Sequence, residues 1–172
     1  MKKYQLIVGI DVSKSKLDVT FIQDGNTKKA NHFIVANELK AIKVIILKAK
    51  KLNLSEDKIL FCFENTGTYS MPLCYQLSES NLDYWVVPPI EIAKSKGLTR
   101  GKKDKSDSKD IALYALTHIH KIVLNQLPEK DITKLKLLYT ERNKVLKAIK
   151  LMATSQEYTN FYPKSAIKDL LI

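Results

Sequence analysis

The sequence predicts a mixed α/β domain followed by a long helical segment. Two observations lead to this fold class. The apolar segments of the first part come as three strand-like runs in succession, and then as strands that alternate with amphipathic helices. After Pro128, which breaks the chain, a helical pattern extends from about residue 131 to residue 156. The 172 residues are enough for one domain of ordinary size and an appendage.

The first three predicted strands form a meander. Residues 4–11 (YQLIVGID) are a nearly continuous apolar run, as in a central strand covered on both faces. Residues 16–23 (KLDVTFIQ) alternate in part between apolar and polar side chains. Residues 24–26 (DGN) signal a turn, and residues 29–35 form the third strand.

Helices then link the remaining strands. An amphipathic helix is predicted over residues 37–52, a strand over 58–63, a second helix from 66 to about 78, a strand over 84–87, and a helix from about 106 to 120. The order βββαβαβα is that of the ribonuclease H-like fold, in which the second strand is antiparallel to the first and the fourth is parallel to it. Several other folds share this order, so the order alone does not decide between them.

Charge suggests a polyanionic partner. The net charge is +11, of which residues 1–93 carry +2 and residues 94–172 carry +9. Neutralised phosphates release counterions, so a basic half favours nucleic acid, although lysine-rich composition alone would also produce the excess. No apolar run approaches the length of a membrane span. Two cysteines inside apolar segments indicate reduced thiols and a cytoplasmic protein.

A polar, glycine-punctuated and basic loop is expected between residues 94 and 105. Together with the start of the next helix, this loop supplies the residues predicted to contact nucleic-acid phosphates: Lys94, Lys96, Arg100, Lys102, Lys103, Lys105 and Lys109. The alternative is an ordinary solvated loop.

Four carboxylates stand where a metal site would require them. Asp11 and Glu64 end the first and fourth strands, whose carboxyl ends would share one sheet edge, and Asp104 and Asp107 are spaced i, i+3 at a helix entrance. Carboxylate oxygens suit Mg²⁺. Two such ions can bind both the attacking and the leaving oxygen when a phosphodiester bond is broken. Each residue also has a purely structural alternative, as a turn, helix-start or helix-dipole acid.

The predicted long helix repeats its apolar residues with a spacing of three and four. The repeat comprises Leu135, Leu138, Val145, Ile149 and Met152, with Arg142 at the missing position. It covers fewer than three heptads, so a core-packing helix and a coiled-coil arm are equally compatible with it.

Four segments in series resemble the N-terminal half of the DEDD transposases of bacterial insertion sequences, RuvC-like enzymes that include the pilin-gene invertase and the bridge-RNA-guided recombinases. The segments are Gly9-Ile10-Asp11-Val12-Ser13-Lys14, Glu64-Asn65-Thr66-Gly67-Thr68-Tyr69, Val86-Val87-Pro88-Pro89 and Lys103-Asp104-Lys105-Ser106-Asp107-Ser108. Pro88 stands where the family pattern has asparagine, and Lys103 and Ser108 stand where it has threonine and alanine. None of these departures removes a carboxylate.

The resemblance implies a RuvC-type, five-stranded mixed sheet with helices on both faces over residues 1–122, and a helical, coiled-coil-like segment over residues 128–172. It implies that Asp11, Glu64, Asp104 and Asp107 are catalytic residues that bind Mg²⁺ or Mn²⁺. The expected activity is strand transfer on insertion-sequence and target DNA in the bacterial cytoplasm, guided by a structured RNA. The expected assembly is a homo-oligomer formed through the helix over 131–156.

In these relatives a serine in the C-terminal half is the DNA nucleophile, so the chain is expected to be an N-terminal portion that needs that half for recombination. Three other functions are weighed against this one. The first is a stand-alone ribonuclease H-like or junction-resolving nuclease, and the second is a non-catalytic nucleic-acid-binding dimerisation module. The third is an actin-like sugar kinase or ATPase, which the small size and the lack of a second glycine-rich phosphate loop disfavour.

Overall fold

One five-stranded sheet organises the first part of the chain. Its strands are β1 (Leu6–Val12), β2 (Lys16–Gln23), β3 (Asn31–Ala36), β4 (Ile59–Glu64) and β5 (Asp83–Val87). The spatial order is β3-β2-β1-β4-β5. Strand β2 runs antiparallel to β1 and β3, whereas β4 is parallel to β1 and β5. The predicted mixed sheet, with its antiparallel second strand and its parallel first–fourth pair, is confirmed.

The computed structural model describes residues 4–52, 54–95, 107–127 and 130–159. The chain divides into two compact units, Met1–Leu127 and Pro128–Ile172. The helices of the first unit are α1 (Leu39–Lys50), α2 (Met71–Glu79), α3 (Pro89–Ser95) and α4 (Asp107–Thr117), and the second unit contains α5 (Lys130–Thr159).

Helices α2 and α3 differ most from the sequence prediction. Helix α2 begins at Met71 and not near residue 66, because Gly67 adopts a φ of +65°, which a helix cannot continue through. Helix α3 is absent from the sequence prediction, which ends the fifth strand at residue 87 and expects a basic loop from residue 94. Pro89 is instead the first residue of α3, where the missing proline N–H would have had no partner inside the helix.

Helices cover both faces of the sheet, as predicted. Helices α1 and α2 bury Ile45 and Leu77 against one face, together with the odd-numbered apolar residues of β2. Helices α3 and α4 bury Ile92 and Ala112 against the other face. Because this second face is also covered by a helix, the even-numbered residues of β2 are buried as well. This explains why apolar and polar side chains alternate only in part along β2. Each face is sealed by a continuous apolar cluster, and the sheet edge at the carboxyl end of β1 lies between them.

Helix α5 is a 30-residue helix with exposed apolar side chains. Leu135 and Leu138 each retain 67% of their accessible surface, and the other apolar members of the predicted repeat are also exposed. The coiled-coil arm stays a prediction. Among the described helices, none combines the length and the apolar character needed to cross a membrane.

Candidate active site at the carboxyl edge of the sheet

Asp11 and Glu64 lie side by side at the carboxyl edge of the sheet. Strands β1 and β4 pair in parallel with Ile10 opposite Phe63, so the next residue of each strand is one of the two acids. Neighbouring strands are about 4.8 Å apart, and residues in register on parallel strands point to the same face. Both acids are half-buried. Their backbones are therefore fixed by the centre of the sheet, while their carboxylates remain accessible at its edge.

Helix α4 lies in direct contact with β1 two residues before Asp11, and Gly9 makes this approach possible. A Cβ atom built on Gly9 would collide with the carbonyl oxygen of Ser108. It would also lie 2.5 Å from the backbone nitrogen of Ala112 and 2.7 Å from the Cβ of Ala112. Gly9 does not have a positive φ, so the requirement for glycine here is steric. The first turn of α4 is consequently held close to the strand that carries Asp11.

A buried pair of hydroxyl groups ties the start of α4 to β2. The Oγ1 of Thr20 and the Oγ of Ser108 are 2.8 Å apart, and each residue retains 1% of its accessible surface. Thr20 is opposite Gly9 in the sheet, so the bond forms beside the glycine contact. Ser108 is one of the departures from the family pattern, and the structure accounts for it, because Thr20 supplies the partner that a buried hydroxyl needs.

Asp107 is the first residue of α4, and Asp110 lies in the same first turn. At both positions the positive end of the helix dipole stabilises a carboxylate. For Asp110 this stabilisation explains the acid without any bound ligand. Asp104 lies outside the described residues. Over the described ranges, no three His, Cys, Asp or Glu side chains are close enough together to hold a metal ion. The carboxylates of Asp11 and Glu64 have the oxygen-donor chemistry that suits Mg²⁺, and the ligand role of all four acids stays a prediction.

Asp18 is an acid of this edge that sequence reasoning missed. It is opposite Asp11 in the antiparallel pairing of β1 and β2, and it retains only 5% of its accessible surface. The ammonium group of Lys16 lies 3.1 Å from its carboxylate, and Nε2 of His32 lies at 3.6 Å. The signal available in the sequence was an acid in the middle of an apolar strand, which is rarely buried unless it is paired.

The two loops above the carboxylates are joined by one amide. The Nδ2 of Asn37 donates to the carbonyl oxygen of Ser13 at 2.8 Å and to that of Tyr69 at 3.0 Å. Ser13 follows Asp11 by two residues, and Tyr69 follows Glu64 by five. Asn37 therefore connects the turn after β1 to the turn after β4, and so defines one rim of the site.

Two of the predicted phosphate-contact residues can be placed. Lys94 is exposed in the last turn of α3, which begins directly after the carboxyl end of β5, and Lys109 is half-buried in α4. The others, Lys96, Arg100, Lys102, Lys103 and Lys105, lie outside the described residues.

Neither cysteine belongs to the chemistry of this edge. Both are free and buried, as predicted. Burial, followed by the negative charge of Glu64, raises the pKa of Cys62 far above its usual range. Burial raises the pKa of Cys74 to about 11. Both groups are therefore neutral thiols at physiological pH, and neither is a nucleophile there.

Comparison with known proteins gives a family match and structural neighbours. The model of the IS110-type DEDD transposases, described as transposase, matches residues 8–156. No curated protein sequence matches the chain significantly.

The fold is similar to Thermus thermophilus RuvC. A structure of that protein in complex with Holliday junction substrate has 11% identity and a TM-score of 0.50, covering 72% of this chain and 100% of the other. A second RuvC structure has 12% identity and a TM-score of 0.50, covering 70% and 99%. At this identity the likeness concerns the fold alone, and the predicted RuvC-type fold is confirmed.

Proposed function

The chain belongs to the family of IS110-type DEDD transposases, and from that premise we propose that residues 1–122 form a metal-dependent catalytic domain for strand transfer on DNA. Family and fold together support an enzyme that acts on DNA.

One observation carries it. The register between β1 and β4 sets Asp11 beside Glu64 at the edge over which α4 begins with Asp107. Asp11 and Glu64, which come from two separate strands, lie side by side at one end of the sheet, and a structural role for each acid alone does not require this. Mutual repulsion of such acids is costly, and a bound cation offsets it.

In the proposed site, Asp11, Glu64, Asp104 and Asp107 hold Mg²⁺ or Mn²⁺ through their carboxylate oxygens. A divalent ion held there supplies charge stabilisation at a phosphodiester and at its leaving oxygen. The protein itself fixes the positions of the acids that would hold the ion. The sheet fixes Asp11 and Glu64, and the close approach of α4 at Gly9 fixes Asp107 relative to them.

The basic residues of 94–109 are proposed to hold the DNA backbone beside these acids. Lysine and arginine contacts to phosphate set the position of a duplex without reading its sequence. The buried neutral thiols are consistent with a cytoplasmic location, where thiols stay reduced.

Two partners are proposed for the more basic second half. A structured guide RNA would satisfy its excess positive charge. A second copy of the chain would cover the apolar side chains of residues 131–156, which are exposed along α5. Burial of such a row against a like helix is the usual source of stability for a long amphipathic helix.

The experiment is a DNA-binding and cleavage assay with Mg²⁺, using insertion-sequence ends and a four-way junction as labelled substrates. We expect the wild type to bind both DNAs, and Glu64→Gln to lose any phosphodiester chemistry while it keeps its fold. Absence of DNA binding by the wild type would contradict the proposal.

The same assay separates the main alternative. The RuvC relative was solved with Holliday junction substrate, which favours a stand-alone junction-resolving nuclease as the second candidate. Metal-dependent cleavage of the four-way junction by this chain alone would support that alternative. Binding that is independent of metal and insensitive to Asp11→Ala would support a non-catalytic binding module.

A further inference from the structure

Helix α1 presents a solvent face that carries lysines and no acid. Residues 39–55 contain five lysines and neither aspartate nor glutamate. The core side of the helix is apolar and buried, with Ile42, Ile45 and Ile46. The exposed side chains of α1 and its C-cap are basic or neutral, namely Leu39, Lys40, Lys43, Val44, Leu47, Lys48 and Lys51. None of the residues assigned above to DNA contact lies in this helix.

The positive charge at the start of this face is not compensated within the folded chain. Lys50 pairs with Glu56 at 2.6 Å, near the end of the helix. Among the residues that the structure describes, no acid lies within ion-pair distance of Lys40 or Lys43. These two lysines are spaced i, i+3, so they are neighbours on the helix surface and repel each other.

The helix dipole does not account for the lysines at the start of α1. It stabilises cations near the carboxyl end of a helix, which suffices to explain Lys48 and Lys51. Lys40 is the second residue of α1, whose first turn contains no acid. The dipole is positive there and disfavours a cation. The first turn therefore carries a charge that destabilises the free protein, and an anion bound beside it would offset this effect.

Helix α1 leads away from the proposed active site. It begins two residues after Asn37, whose amide joins the turns that follow β1 and β4. After the helix the chain reaches the amino edge of the sheet, where β4 begins at Ile59. Lys40 is therefore near the carboxyl edge, and lysines continue along a helix of 12 residues, about 18 Å long. At about 3.4 Å per base pair, this length corresponds to about five base pairs of duplex DNA.

We propose that the solvent face of α1 binds the phosphate backbone of duplex DNA beside the active site. The inference rests on the proposed function and deepens it, because it assigns a path to the DNA that leaves Asp11 and Glu64. Lys40 and Lys43 contact the phosphates nearest the carboxyl edge, and the lysines at the end of the helix contact phosphates further along. Such contacts carry no base information, so this face positions DNA of any sequence.

Charge and burial argue against two other occupants of this face. A second copy of the chain carries a net charge of +11, so repulsion opposes its approach to the lysines. Insertion into a membrane surface requires an exposed apolar helix face, whereas the apolar side of α1 is buried against the sheet. A polyanion in water is the partner that the exposed lysines fit.

The test compares two double variants of equal charge. Lys40→Gln/Lys43→Gln removes two cations from α1, whereas Lys28→Gln/Lys29→Gln removes two exposed cations from the connection between β2 and β3 at the amino edge. Binding of each variant to a fluorescent duplex of about 30 base pairs is measured by anisotropy at several NaCl concentrations, with Mg²⁺ constant. Urea unfolding without DNA is the second measurement.

For the α1 variant we expect a salt slope reduced by about 1.8, the value for two lost phosphate contacts on duplex DNA, and for the control the wild-type slope. Because Lys40 and Lys43 repel each other and the helix dipole, we expect the α1 variant to be at least as stable as the wild type in urea. Equal slopes for the two variants would overturn the inference and leave the proposed function intact. Destabilisation of the α1 variant in urea would overturn it as well, because the lysines would then have a structural role.

Two further arms separate the possible partners. A wild type that does not bind the DNA duplex would overturn the proposed function itself. The same variants are also measured on an RNA duplex and on vesicles of phosphatidylserine and phosphatidylcholine. A loss of binding confined to the RNA duplex or to the vesicles would overturn the assignment of this face to DNA.

Discussion

Removing either partner of the Thr20–Ser108 hydroxyl pair should destabilise the protein more than removing both. Both groups are buried, and their oxygens are 2.8 Å apart. Thr20→Val leaves the Ser108 hydroxyl without its partner, and Ser108→Ala leaves that of Thr20. An unsatisfied buried hydroxyl costs about 1–3 kcal/mol. Replacing both removes the unsatisfied groups, so the double variant should be more stable than the sum of the two losses predicts, with a coupling energy of about 1–2 kcal/mol.

Urea unfolding followed by tryptophan fluorescence measures this directly. Trp85, the one tryptophan of the sequence, is buried in the cluster beneath α4, with its ring centroid 5.4 Å from that of Tyr114. With an m-value of about 2 kcal/mol/M, each single variant should lower the midpoint by roughly 0.5–1.5 M. Thr68→Val, at an exposed threonine, is the matched control and should leave the midpoint unchanged.

The result has a consequence for the family comparison. Ser108→Ala restores the alanine of the family pattern, yet it should destabilise this chain, because Thr20 is present beneath it. If the losses of the two single variants simply add in the double variant, the hydroxyl pair does not tie α4 to β2, and the explanation offered for Ser108 is wrong.

Three further predictions follow from packing and burial. Gly9→Ala should lower the free energy of unfolding in urea by about 1–3 kcal/mol. The added Cβ would lie about 0.9 Å closer to the Ala112 nitrogen than the 3.4 Å at which ordinary contact begins. Wild-type stability of this variant would refute the close approach of α4 to β1. Cys74, whose pKa burial raises to about 11, should react with iodoacetamide far more slowly in the folded protein than in urea, and equal rates would contradict its burial. Burial and the hydrogen bond to Asp83 raise the pKa of Tyr4, so its protonated form stabilises the fold below about pH 10, and this contribution is lost as pH rises further. Ultraviolet titration should show Tyr4 ionising only with unfolding, and early ionisation of all eight tyrosines would contradict this.

Local patterns were enough to predict the strands. Strand β2 has the predicted bounds of residues 16–23, and the other four strands agree to within about two residues at most ends. Hydrophobic periodicity and turn residues are properties of short stretches of the sequence, and the bounds of these strands depend mainly on such stretches. Helix α3 begins at Pro89, and proline is favoured at the first position of a helix although it ends most other regular structure.

The site could be predicted only in part, because its geometry depends on contacts between distant segments. The strand ends at Asp11 and Glu64 follow from fold topology. Asp18 is buried with its carboxylate next to His32 of the neighbouring strand, a residue that lies 14 positions away in the sequence. The amide of Asn37 likewise joins loops that lie 24 and 32 residues away along the chain. Such links are set by tertiary packing, which no local pattern encodes.

Titration of the protein with Mn²⁺ tests the central claim most directly, that Asp11 and Glu64 form a metal centre. Calorimetry and the thermal midpoint are measured for the wild type, Asp11→Asn and Glu64→Gln, with Asp24→Asn at an exposed turn as the control. We predict binding and stabilisation for the wild type and the control, reaching about 2.7 kcal/mol at one hundred times the dissociation constant, and loss of both in the two site variants. Binding of Mn²⁺ by Asp11→Asn with wild-type affinity would contradict the account.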